Sequence, residues 1–271
     1  MAVSARPPIT LTTDFGHRDP WVAAMKGVLN SLAPKRPLMD LSHDIAPQAI
    51  LEGALFLAAS LPYFPKDTVH LVVIDPGVGT ARQALVVRCA NQYIVCPNNG
   101  LLTILEQSHP IEAAHSIENP DYRLPNCSAT FHGRDIFAPA AAHVALGKDL
   151  ESFGPKLDTL EKIPVPKANM DAENQLHGEI IHVDHFGNCI TNINEDMLGK
   201  HKDYRALVAA QTLNPIYRTY ADVPPGTPLA LFGSTGHLEI AVSMSNAARE
   251  LQLHTGTPVT LYRPMGKAPK K

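Results

Sequence analysis

The run Val69–Ile74 (Val-His-Leu-Val-Val-Ile) constrains the fold of this chain more than any other segment. It is almost wholly apolar and β-branched, which fits a strand buried on both faces, as in a parallel sheet covered by helices. It stops abruptly at Asp75-Pro76-Gly77. The segments around it keep the same rhythm. Pro8–Thr13 reads as a strand ending at Asp14-Phe15-Gly16, and Trp21–Leu32 follows with Val22, Met25, Leu29 and Leu32 at helical spacing before Pro34. Pro37–Leu41 is a short strand leading into Ser42-His43-Asp44, and Ala49–Leu61 is an apolar helical stripe closed by Pro62. Ala84–Cys89 and Tyr93–Cys96 form a hairpin around Ala90-Asn91-Gln92. Leu101–Glu106 and Arg134–Leu146 read as helices, with Gly147 as the C-terminal stop. The alternation specifies a layered α/β domain with a mainly parallel sheet.

From about Glu151 the texture changes. Lys156–Asp171 is polar, carries Pro164 and Pro166, and has no periodicity. Beyond it, short strands at Glu179–Val183, Cys189–Ile193, Arg205–Ala209, Leu229–Phe232, Leu238–Val242 and Val259–Tyr262 suit a small antiparallel barrel or sandwich. The expected partition is an α/β domain over 1–160, a linker over 161–175 and a β domain over 176–271. A length of 271 residues gives each domain enough chain for its own core.

With 45% apolar and 18% charged residues, the composition is that of a soluble globular protein. A net charge of −3 gives no reason to expect nucleic acid or an anionic membrane as partner. The basic residues Lys267, Lys270 and Lys271 read as a solvated end. No apolar run is long enough for a membrane span, and Met1–Pro8 lacks the apolar core of a secretory signal. The 4 cysteines, Cys89, Cys96, Cys127 and Cys189, show no paired spacing and fit reduced, mostly buried thiols in a cytoplasmic protein.

Ligands of open α/β sheets bind at the carboxyl ends of strands. Polar groups occur there at Asp14, at Asp40–Asp44, at Asp75–Arg82 and at Phe131-His132-Gly133-Arg134-Asp135; Asp184-His185-Phe186-Gly187-Asn188 lies between two later strands. Each has a plainer reading. Asp75-Pro76-Gly77 makes a good turn, His132 a satisfied core histidine, and Arg134 and Asp135 a helix start. Gly77-Val78-Gly79-Thr80 lacks the Gly-Lys-Ser/Thr of a phosphate-binding loop. Among 13 histidines, His17 and His43 with Asp19, Asp40 and Asp44 suggest a metal centre, but no zinc-type spacing occurs. Neither a metal nor a cofactor is expected.

Taken together, Asp14-Phe15-Gly16, Asp40-Leu41-Ser42-His43, Asp75-Pro76-Gly77-Val78-Gly79-Thr80 with Arg82, Pro97-Asn98-Asn99-Gly100-Leu101-Leu102, Phe131–Pro139 and Phe186-Gly187-Asn188 with Thr191-Asn192-Ile193 occur in one order. This set strongly resembles the S-adenosyl-L-methionine (SAM) hydroxide adenosyltransferase family, relatives of bacterial fluorinase and chlorinase. The resemblance runs from about residue 8 to residue 263. It implies an N-terminal α/β domain, a C-terminal β-barrel and a homotrimer with SAM held between subunits. It also implies hydrolysis of SAM to adenosine and methionine by attack of water or hydroxide on the ribose 5′ carbon.

The family's Asp-Arg-His triad falls on Asp75, Arg82 and His132. By the same resemblance Asp14 binds the ribose hydroxyls, Asp184 and Ser234 the amino-acid end, and Phe186 and Asn188 surround the adenine. The halogenases lack an acid where this chain has Asp75, which favours hydroxide transfer over halogenation. Three departures stand out: Gln48 replaces a substrate-contacting Trp of fluorinase, Thr235 replaces an Arg, and Asn98 replaces a common Asp. Arg82 is expected to stabilise a nucleophile with hydroxide character. His132, rather than a carboxylate committed to an arginine, is expected to accept the proton. The alternatives are a SAM-dependent halogenase, a SAM- or adenosine-sequestering protein and, last, a metal-dependent hydrolase.

Overall fold

The fold is taken from a computed structural model that describes residues 6–200 and 203–264. Lys267, Lys270 and Lys271 lie outside the described residues. The chain forms two compact units, Met1–Val165 and Pro166–Lys271.

The first unit contains β1 (Ile9–Thr13), α1 (Trp21–Leu32), β2 (Leu38–Ser42), α2 (Ile50–Ser60), β3 (Val69–Val73), β4 (Ala84–Cys89), β5 (Gln92–Pro97), β6 (Ile111–Ser116) and α3 (Ala138–Ala145). The strand order is β2-β1-β3-β5-β4-β6. The neighbours from β2 to β5 run parallel, and β4 is antiparallel to both β5 and β6. Alternation along β3 explains the double burial. Val69, Leu71 and Val73 join Met25, Leu29 and Ala141 on one face, while Val72 and Ile74 join Leu57 and Ile94 on the other. The β4–β5 turn places Ala90 and Asn91 at φ 50° and 58°, the geometry of a tight two-residue hairpin.

His70 is the polar exception in β3. It is fully buried between Thr10 Oγ1 at 2.8 Å and Gln92 Oε1 at 2.7 Å, and Gln92 Nε2 donates to the Leu61 carbonyl. The amide oxygen only accepts, so His70 carries its proton on Nε2 and receives the Thr10 hydroxyl at Nδ1. Burial lowers its pKa, as it does for His43 and His143. The unfolded chain therefore binds these protons first. Stability is full above the unfolded value of about 6.5 and declines as pH falls from there toward the depressed folded values. Thermal melts should show Tm falling from about pH 6.5 downward; a flat Tm into the mildly acidic range would contradict this.

One local expectation changes. In the expected helix Leu101–Glu106, Leu101–Ile104 is turn, followed by a 3₁₀ turn at Leu105–Gln107, because so short a run cannot offset helix nucleation. The strand β6 has little β-branched character and forms through its pairing with β4. The polar stretch after residue 155 is fastened to the first unit: Leu157 N donates to the Ala114 carbonyl, Glu161 N to Asn98 Oδ1 and Ile163 N to Thr103 Oγ1.

The second unit contains β7 (Asn169–Met170), β8 (Leu176–Val183), β9 (Cys189–Asn194), β10 (Arg205–Val208), β11 (Gln211–Leu213), β12 (Ile216–Tyr217), β13 (Pro228–Phe232), β14 (His237–Val242) and β15 (Pro258–Tyr262). They form one sheet, β11-β10-β15-β8-β9-β14-β13-β12, with β7 on β8, that curls into a nearly closed barrel. Every pair is antiparallel except β12–β13, which is parallel. Cys189, Thr191 and Ile193 alternate inward along β9 toward Ile180, Leu238 and Ile240. The strands β7, β11 and β12 are too short to leave a sequence signature. Cys89, Cys96 and Cys189 are buried thiols, whereas Cys127 is exposed. Among the described residues, no helix is long and apolar enough to cross a membrane.

Candidate active site

The chain leaves β3 at its carboxyl end and turns through residues 75–80. Val78 N donates to the Asp75 carbonyl, and Thr80 donates to the Gly77 carbonyl through both N and Oγ1. Gly79 sits at φ 78°, and a Cβ there would lie 2.5 Å from the Ala129 carbonyl oxygen. Only glycine allows this backbone contact. The turn returns the chain to Arg82 directly beside Asp75. Arg82 Nε donates to Asp75 Oδ1 at 2.9 Å and Nη2 to Oδ2 at 2.5 Å, a planar fork on a carboxylate. Both side chains are largely buried, at 5% exposure for Asp75 and 10% for Arg82. The guanidinium also lies 5.1 Å from the centre of the buried Phe137 ring.

Arg82 Nη2 also stands 2.7 Å from His132 Nδ1. Arginine has no acceptor, so Nδ1 receives the hydrogen bond and the imidazole proton resides on Nε2. Burial and then the Arg82 charge hold the His132 pKa below the ordinary imidazole range. His132 is thus a neutral ring presenting a donor. Its one lone pair is engaged by Arg82. Arg82 Nη1 has no hydrogen-bond partner among the described residues, so its two N–H groups remain available.

Asp75 and His132, the two partners of Arg82, border a cleft of about 310 Å³ that Phe15, Trp21, Val73, Val78 and Phe131 also line. Phe131 meets Phe15 and Trp21 edge-on at 6.0 and 5.2 Å. The wall carrying His132 is anchored by Asp135, which is fully buried. Asp135 Oδ2 accepts from Ser128 N at 2.8 Å and Arg134 Nη2 at 2.9 Å, while Oδ1 accepts from Arg134 Nε at 2.5 Å. Burial opposes its ionisation, but the Arg134 and Ser128 hydrogen bonds prevail and its pKa is lowered. Asp14 follows β1. Its Oδ2 accepts from Gln48 N at 2.8 Å, and its Oδ1 has no hydrogen bond among the described residues.

The second unit gathers the remaining candidates at two turns. Asp184 Oδ1 accepts from Asn188 N at 2.8 Å and Oδ2 from Asn188 Nδ2 at 3.0 Å, which closes the loop between β8 and β9. Phe186, at its tip, is 73% exposed. Ser234 is exposed in the β13–β14 turn, which is closed by Gly233 N to the His237 carbonyl and Gly236 N to the Gly233 carbonyl. Glu239 is buried against Gly233, and Tyr220 Oη donates to its Oε2 at 2.5 Å. The structure therefore unites Asp75, Arg82 and His132 in one hydrogen-bonded group, and Asp184 with Asn188 in another. His17, Asp19, Asp40, His43 and Asp44 make no ligand set; among the described residues, no group of three or more His, Cys, Asp or Glu is placed to hold a metal ion.

Residues 9–154 match the family model for the SAM hydroxide adenosyltransferase N-terminal domain, and residues 178–260 match that for its C-terminal domain. The chain belongs to the SAM hydroxide adenosyltransferase family. A curated relative from Thermus thermophilus, an (R)-S-adenosyl-L-methionine hydrolase, is 40% identical over 94% of this chain and 99% of its own length. A more distant relative, the fluorinase of Actinopolyspora mzabensis, is 28% identical over 96% and 98%. The crystal structure of an uncharacterized conserved protein from Thermotoga maritima superposes with a TM-score of 0.86 at 36% identity, covering 94% of this chain and all of that one.

Several supporting residues of this family member escape a reading of motifs alone. Asn99 Nδ2 donates to the Ile74 carbonyl at 2.9 Å, fixing the peptide that precedes Asp75. Asn98, just after β5, is buried and bonds Gln83 as well as Glu161. Glu239 alternates away from Leu238 and Ile240, so the pattern reads it as solvated, and nothing local announces Tyr220 as its partner.

Proposed function

We propose that this protein hydrolyses SAM, with the (R)-sulfonium epimer named for its relatives as the substrate, to adenosine and L-methionine. The observation that carries the reading is the shared Arg82 Nη2, which donates to both Asp75 and His132, the two residues of the group that line the cleft. SAM already bears a good leaving group, since the sulfonium departs as a neutral thioether. The site needs mainly an oriented, partly desolvated oxygen in line with the carbon–sulfur bond, and no cofactor. Arg82 Nη1 and His132 Nε2 supply hydrogen-bond donors, and donors stabilise hydroxide or a water acquiring hydroxide character. Asp75 holds the guanidinium in that orientation and offers its remaining lone pairs to a water proton.

Because His132 acts as a donor, the rate should show no inflection near the ordinary imidazole value of about 6.5. An inflection there that vanishes in His132→Ala would restore the base role. Asp14 Oδ1 is assigned to the ribose hydroxyls, Asp184 and Ser234 to the amino-acid end, and Phe186 and Asn188 to the adenine. The exposed Phe186 suits burial by substrate or by a neighbouring subunit, so the active species is proposed to be a cytoplasmic homotrimer with shared sites. A donor-lined site also suits a halide, but the Asp75 carboxylate weighs against anion capture, and sequestration would need no triad. Incubation with each SAM epimer, with and without chloride, tests the reading. Adenosine and methionine in equal amounts support it; 5′-chloro-5′-deoxyadenosine, or bound unreacted SAM, refutes it.

A further inference from the structure

A second hydrogen-bonded chain lies at the carboxyl ends of β1 and β2. Thr13 and His43 are buried at 0% and 1% exposure. Thr13 Oγ1 is 2.8 Å from His43 Nδ1 and accepts from Phe15 N at 3.3 Å. The Asp40 carboxylate that faces His43 Nε2 only accepts, so the histidine proton lies on Nε2 and the Thr13 hydroxyl donates its own proton to Nδ1. Nε2 stands 3.1 Å from Asp40 Oδ1, bent away from a straight hydrogen bond, and Lys26 Nζ bonds Asp40 Oδ2 at 2.5 Å. The His43 carbonyl also accepts from Gly16 N at 2.7 Å. His43 therefore grips residues 13–16 twice, by its side chain through Thr13 and by its own backbone.

The gripped segment carries Asp14 and Phe15. Asp14 is pinned from the other side by Gln48 N, so its free Oδ1 has one fixed direction. Phe15 lines the cleft and buttresses Phe131. Neither Thr13 nor His43 lines the cleft, so neither is a catalytic residue.

We propose that Thr13 and His43 are positioning residues that preset Asp14 and Phe15 for the nucleoside part of the substrate; this rests on the assignment of Asp14 to the ribose. The chain of bonds runs from Phe15 N–H to Thr13 to His43, whose Nε2 faces a carboxylate held by Lys26. A hydroxyl at position 13 is indispensable to it, because only a group that both accepts and donates joins the two halves.

Thr13→Val keeps the shape and removes the hydroxyl. In steady-state hydrolysis it should raise KM about tenfold and leave kcat within about threefold, as expected for a lost binding contribution, and Thr13→Ser should recover most of the loss. Adenosine affinity by calorimetry should weaken in parallel. An unchanged KM and adenosine affinity, or a loss confined to the fraction of active enzyme, overturns the proposal. Should Thr13→Val not fold, His43→Asn, which keeps an acceptor near the Nδ1 position, should outbind His43→Leu; equal affinities overturn it. If the wild type binds adenosine but does not hydrolyse SAM, the functional reading fails, and the adenosine titrations still judge the role of Thr13.

Discussion

Replacing Asp75 with alanine should lower kcat for SAM hydrolysis by on the order of 10³-fold while substrate still binds, as for loss of oriented electrostatic stabilisation. The expectation follows from what the carboxylate holds. Its two oxygens fix Arg82 through Nε and Nη2, and the same Nη2 reaches His132. Without the carboxylate, a largely buried guanidinium loses its countercharge and its orientation, and both donors facing the nucleophile are misdirected together. Effects within such a unit are strongly non-additive, so Asp75→Ala/Arg82→Ala should cost little more than the worse single change. Stopped assays for adenosine give kcat, and calorimetry with SAM gives affinity. Loss of binding without loss of kcat would make Asp75 a substrate ligand instead.

Replacing Asp135 with alanine should have the largest effect on stability, about 2–3 kcal/mol. Asp135 is fully buried, and its removal orphans Ser128 N and leaves a void beneath the wall that carries Phe131 and His132. Arg134, 38% exposed, returns to water and limits the penalty. The first unit's Tm should fall by roughly 4–12 °C on that basis, and activity should fall further than the unfolded fraction explains. The Asp135 pKa is lowered in the fold, so its contribution is complete above the unfolded carboxylate value and is lost as pH falls through the folded one. The difference in Tm between wild type and variant should therefore shrink in acid. A variant as stable as wild type at neutral pH would show that the Asp135 hydrogen bonds do not hold this wall.

The strands with period-two or fully apolar patterns were legible from residues alone. The run that became β3 ends at Val73, one residue short of its last β-branched residue, and Asp75 follows Ile74 because strand ends of an open sheet are where polar loops converge. The motifs Asp75–Arg82 and Phe131–Pro139 contain the three side chains that bond one another, since each keeps its polar groups within a few residues of a strand end or helix start. What stayed hidden was relational. β6 exists only through β4, Glu239 is buried only because Tyr220 lies 19 positions away in sequence, and Thr13 meets His43 across 30. The tautomer of His132 also depends on its contact with Arg82, 50 positions away. Sequence patterns report faces and ends; partners that cross between elements are set by packing.

Hydrolysis in oxygen-18 water, with mass analysis of both products, tests the central claim most directly. Attack by water or hydroxide on the ribose 5′ carbon predicts adenosine that carries one oxygen-18 and methionine that carries none. Unlabelled adenosine, or label in the methionine, would contradict the assignment of Asp75, Arg82 and His132 to a nucleophile directed at that carbon.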